Sequence, residues 1–164
     1  MRIEIKRLAM MGLFTALAMI FGYVEAILPV SVGIPGVKLG LANIVIVFAL
    51  YRLKPSEAFL INLVRIVLVN LMFGNLSIML YSLAGGILSF CTMALLKKSD
   101  KFSIYGVSIA GGVFHNVGQL MVAILVLETG SLIYYGPVLL VSGLITGLVI
   151  GITAKEVLKR IGNS

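Results

Sequence analysis

Six apolar runs with short polar breaks between them take up nearly the whole chain: 8–28, 39–53, 57–73, 76–96, 102–127 and 132–154. Runs of that length bury their backbone polar groups in lipid only as helices, because helical hydrogen bonds are internal to the segment. Charged residues make up 12% of the 164 residues, about half the usual share in a soluble domain. Mean hydropathy is +1.15. A disordered chain and a soluble globular domain are both excluded, since too little polar sequence remains to build a water-facing shell. The expected fold is an all-α integral membrane protein, a six-transmembrane-helix bundle forming a single domain over residues 1–164. The second and third runs are short for a bilayer core of about 30 Å at about 1.5 Å per residue.

The breaks carry the charge. The chain has 13 Lys and Arg against 6 Asp and Glu, a net charge of +7. Nucleic-acid binders gather such an excess on a folded, water-facing surface. Here it sits in clusters between spans. With six spans both termini share a side, and eleven of the cations fall on that side; Lys38 lies on the other, and Arg65 lies inside a span. By the positive-inside rule the termini are expected in the cytoplasm, in a multi-pass protein of the cytoplasmic membrane. The first run follows Arg2, Lys6 and Arg7, as in a signal peptide, but its 21 residues suit a span better than a cleaved segment. Cys91 is the only cysteine, and no Cys/His metal spacing occurs. No cofactor is expected.

Arg65 constrains function most. It lies eight residues from each end of the third run. A cation at that depth costs ~3 kcal/mol or more unless it faces a cavity or a partner. Two readings stay open: an ion pair with Glu25 or Glu128, or a ligand site. Asn62 and Asn70 share its helix face; Asn62 reads as a helix–helix contact and Asn70 as a pocket residue. On the fifth run His115, Asn116 and Gln119 share a face by their i,i+3 and i,i+4 spacing and offer donors and acceptors in several directions. A satisfied interhelical network is the alternative. Lys38 stands at the mouth of the second span, with Asn43 behind it, and is either a snorkelling lysine or an entrance guard. Tyr81 and Ser82 lie at comparable depth on the fourth run. Lys38, Arg65 and His115 together favour an anionic group.

Small residues recur at spacing four: Gly12 and Ala16, Ala18 and Gly22, and Gly143, Gly147 and Gly151. They let helices approach closely in lipid. For the last set, packing within the chain is expected; for Gly12 and Ala16, an exposed docking face is the alternative. There is no GxxxxGK[ST] motif for ATP hydrolysis. The only Asp is Asp100, so no aspartate pair is present to hold Mg²⁺ against a diphosphate.

The strings IPGVKLGLANIV at 34–45, SLAGG at 82–86 and HNVGQ at 115–119, with Arg65 before Phe73-Gly74, Gly112, Pro137 and Ser142-Gly143, resemble the Gx transporter family. That family is also labelled heptaprenyl diphosphate synthase component I, and is similar to the S components of energy-coupling factor transporters. The resemblance implies a small membrane subunit that captures a vitamin or precursor from outside. It also implies a transmembrane coupling subunit, driven by an ATPase pair, that docks on small residues of the first helix. Gly12 and Ala16 match that position, as Gly-x-x-x-Ala where two alanines are the pattern.

The expectation is therefore a non-catalytic, substrate-binding subunit. Lys38, Asn43, Arg65, Asn70, Ser82, His115, Asn116 and Gln119 would hold a small polar or anionic molecule, and Gly12 and Ala16 would meet the partner. The alternatives are a non-catalytic membrane subunit of heptaprenyl diphosphate or quinone biosynthesis, and a structural membrane anchor.

Overall fold

Capping residues and charged ends set the helix limits in the computed structural model, which describes residues 2–27 and 40–162. The helices are α1 (Arg2–Ile27), α2 (Leu41–Arg52), α3 (Pro55–Phe73), α4 (Leu76–Lys98), α5 (Ile104–Leu127) and α6 (Gly136–Gly162). α3 starts with Pro55, whose missing N–H is spare in a first turn, and Glu57 accepts the Lys54 N–H at 3.0 Å. Asn75 caps α4 by accepting the Ile78 N–H, and Ser103 caps α5 by accepting that of Gly106.

Two expected boundaries move. α1 begins six residues before its apolar run, because the charged Arg2–Arg7 turns continue the helix beyond the part hydropathy can sense. The last run does not begin as an α-helix at 132: a 3₁₀ turn (Gly130–Tyr135) precedes α6, which then continues to Gly162. Among the described residues five helical segments are long and apolar enough to cross a membrane. α2, with 12 residues, spans only about 18 Å.

Successive helices alternate in direction, which gathers the basic clusters at one end of the bundle. Contacts there tie neighbours together. Arg7 lies 3.9 Å from Glu57, Lys97 Nζ donates to Leu50 O at 2.5 Å, and Lys155 stacks 4.4 Å from the Tyr105 ring centroid. The apolar core centres on α2, where Ile46, Val47, Ala49 and Leu50 are at most 1% exposed and Phe48 meets Phe14 edge-on. Large apolar side chains elsewhere, such as Leu8, Leu71, Leu95 and Leu125, face outward. That is normal where the solvent is lipid. Cys91 is exposed on the same kind of surface.

Glycines fix the remaining contacts. A Cβ on Gly147 would lie 2.7 Å from Ile109 Cα, and one on Gly118 would lie 2.8 Å from Ala84 O. So α4, α5 and α6 touch backbone to backbone, as the Gly143–Gly147–Gly151 spacing predicts. Ser108 Oγ donates across this seam to Gly147 O at 2.7 Å. Gly12 has nothing within 4 Å of its Cβ position, and it and Ala16 are exposed.

Candidate functional site

Arg65 projects from the middle of α3 toward α2, where Nη2 donates to Asn43 Oδ1 at 2.7 Å. Within its own helix Nη2 and Nε both donate to Asn62 Oδ1, at 3.0 and 3.3 Å. Asn62 is itself buried at 2% exposure and donates to Gly86 O of α4 at 3.1 Å. Two neutral amides, oriented by their own helices, therefore hold the guanidinium. Among the described residues no carboxylate lies within 4 Å of it; the single salt bridge is Arg7 to Glu57. Of the two acids expected as counter-ions, Glu128 is exposed at the end of α5; Glu25 makes no direct contact with Arg65 but acts on it through charge, and its Oε1 accepts the Gly40 N–H at 2.5 Å. Glu25 thereby joins the last turn of α1 to the residue before α2, whose left-handed backbone (φ 72°) suits glycine.

The Arg65 side chain borders a partly open cavity of about 280 Å³ in the half of the bundle away from the basic end. All six helices contribute to its wall. Asn43, Arg65, Asn70, Ser82, His115, Asn116 and Gln119 all line it, so seven of the eight expected site residues come together. Lys38, the eighth, lies outside the described residues. Tyr81 does not line the cavity. The wall also includes Glu25 and Thr146, and Ile66, Val69 and Ile150 give it an apolar side.

Several lining groups are already spoken for. Asn70 Nδ2 donates to Ile66 O at 2.7 Å, Asn116 Nδ2 to Leu139 O at 2.6 Å, and Thr146 Oγ1 to Ser142 O at 2.9 Å. Those bonds fix the amide orientations and leave Asn70 Oδ1 and Asn116 Oδ1 as acceptors. The Ser82 hydroxyl and the Gln119 amide make no hydrogen bond to a described residue. The wall thus offers one strong cation, fixed acceptors and adaptable donors against an apolar side. Small-molecule sites are commonly built in this way.

Sequence reasoning missed two features. Asn62 reads as a contact between helices, and it is one, but the same amide also orients Arg65. Glu25 reads only as a counter-ion; the rule that intramembrane charges face cavities, applied to position 25 as to 65, would have found it.

These helices and this cavity define a multi-pass, all-helical membrane protein with a polar hollow inside its bundle. The chain belongs to the heptaprenyl diphosphate synthase component I family, whose model matches residues 14–157. No curated protein and no solved structure matches it.

Proposed function

We propose that this chain is the substrate-binding subunit of an importer of the energy-coupling factor type. On this reading it captures a small polar or anionic vitamin or precursor from outside the cytoplasmic membrane. The observation that carries the reading is the Arg65 guanidinium, which borders an intrabundle cavity and donates its hydrogen bonds to neutral amides, while the Glu25 carboxylate acts on it through charge without direct contact. A purely structural arginine at that depth would be expected to form a direct salt bridge with an acid, and no carboxylate among the described residues lies within 4 Å of Arg65. On this reading the six helices form the transmembrane bundle, with the 12-residue α2 packed among longer neighbours, the basic end in the cytoplasm and the cavity facing outward. A transmembrane coupling subunit docks on the exposed Gly12 and Ala16 face of α1 and carries the force of an ATPase pair. Lys38 guards the entrance; Asn43, Asn70, Ser82, His115, Asn116 and Gln119 complete the site around Arg65.

The family description favours a second reading, a non-catalytic membrane subunit working beside a prenyl diphosphate synthase. The chain's only Asp, Asp100, lies in the loop after α4 at the basic end. A metal-diphosphate site on this chain would need acids grouped together, so on this reading too the chemistry belongs to a partner.

Mass spectrometry of small molecules released from the purified protein tests the main reading. The wild type is expected to retain a polar or anionic molecule that Arg65→Ala loses. Equal retention by both, or none by the wild type, contradicts it. Retention of a prenyl diphosphate would favour the second reading.

A further inference from the structure

Glu25 shares the cavity with Arg65, and the importer reading gives it no role toward the bound molecule. One oxygen is engaged: Oε1 accepts the Gly40 N–H. Oε2 has no hydrogen-bond partner among the described residues. On the opposite charge, Arg65 Nη1 has no such partner either, and Arg65 lines the same cavity. Among the described lining residues Glu25 is the one carboxylate and Arg65 the one arginine or lysine. They do not approach within 4 Å.

Opposite charges in a partly desolvated hollow attract strongly. Here each is restrained by neutral groups: Asn43 and Asn62 hold the guanidinium, and Gly40 holds the carboxylate. The result is a separated pair with one N–H edge and one carboxylate oxygen left over, across a shared space of about 280 Å³. A molecule bearing only negative charge would satisfy Arg65 while facing Glu25 unpaired. One bearing only positive charge would have the converse problem. Uncompensated buried charge is what rejects a wrong ligand.

We propose that the molecule held in this cavity is amphoteric, placing an acidic group on Arg65 and a cationic or N–H-bearing group on Glu25 Oε2. This rests on the reading of the cavity as a ligand site and narrows its substrate class. The volume falls near the lower end of the roughly 300–1,000 Å³ typical of small-molecule pockets, so the molecule is compact.

The test quantifies and identifies the small molecules released by denaturing wild type, Glu25→Gln and Glu128→Gln, each purified from cells grown in rich medium. Glutamine keeps a carbonyl oxygen for the Gly40 N–H while removing the charge. The molecule from the wild type is expected to carry both an acidic and a basic or N–H group. Glu25→Gln is expected to retain at least tenfold less of it, with an unchanged elution profile, whereas Glu128→Gln, which lies outside the cavity, retains it as the wild type does. A retained molecule with acidic groups alone overturns the proposal, as does full retention by Glu25→Gln. Equal losses in Glu25→Gln and Glu128→Gln also overturn it, because the loss then does not come from the cavity carboxylate. Should Glu25→Gln not fold, the identity of the wild-type molecule decides by itself. A wild type that retains nothing fails the site reading, a result distinct from retention of a purely acidic molecule.

Discussion

Replacing Gly147 by alanine should part α5 from α6 and loosen the cavity they help to wall. The added Cβ would sit 2.7 Å from Ile109 Cα and 2.8 Å from Ser108 O, both backbone atoms that no rotamer change can move. Ordinary contact begins at 3.4 Å, so the helices must separate by about 0.7 Å. That shift stretches the 2.7 Å bond from Ser108 Oγ to Gly147 O to the edge of hydrogen bonding. Overpacking costs about 1–3 kcal/mol, and the weakened interhelical bond adds about 0.6 kcal/mol in a membrane protein. The better helix propensity of alanine returns about 1 kcal/mol. The net loss is roughly 0.6–2.6 kcal/mol, or a melting temperature lower by about 1–10 °C for a chain of this size. Thermal unfolding in detergent measures it, with Gly12→Ala as the control. Gly12 has open space around its Cβ position, so that variant should melt at or slightly above the wild type. If Gly147→Ala melts no lower than the wild type, the backbone-to-backbone packing of α5 on α6 is wrong.

The same geometry predicts three further outcomes. Asn62→Leu removes two bonds to Arg65 and one to Gly86 O and should cost about 1.5–3 kcal/mol, seen as a lower melting temperature; an unchanged value would show that Asn62 does not hold Arg65. Arg65→Lys keeps the charge but not the planar fork that serves Asn43 and Asn62 together, so retained small molecule should fall at least tenfold by mass spectrometry, whereas wild-type retention would reduce Arg65 to a point charge. In a Cys91→Ala background, a membrane-impermeant maleimide applied to intact cells should label Gly130→Cys but not Asp100→Cys; the reverse pattern would invert the proposed orientation.

The helices were legible because apolar length is a property of the sequence itself: the third run and α3 end at the same residue, and the fourth run and α4 begin at the same one. α6 was less so, since Gly130–Tyr135 is as apolar as the helix after it and hydropathy does not distinguish a 3₁₀ turn from an α-helix. Arg65 announces itself by cost, because a cation at that depth must be accommodated. Its partner Asn43 does not: the two are 22 residues apart and meet only because α2 and α3 pack side by side. His115, Asn116 and Gln119 follow from helical periodicity, which fixes that they share a face but not which helix that face meets. The second oxygen of Glu25 is a matter of tertiary geometry alone.

The most direct measurement of the central claim is the dissociation constant of the molecule recovered from the wild type, determined by calorimetry on wild type and Arg65→Ala. A lost charge-assisted hydrogen bond of about 1.5–3 kcal/mol should weaken binding roughly tenfold or more, with the variant still folded. An identical constant in both proteins would mean that the guanidinium serves the bundle and not a guest.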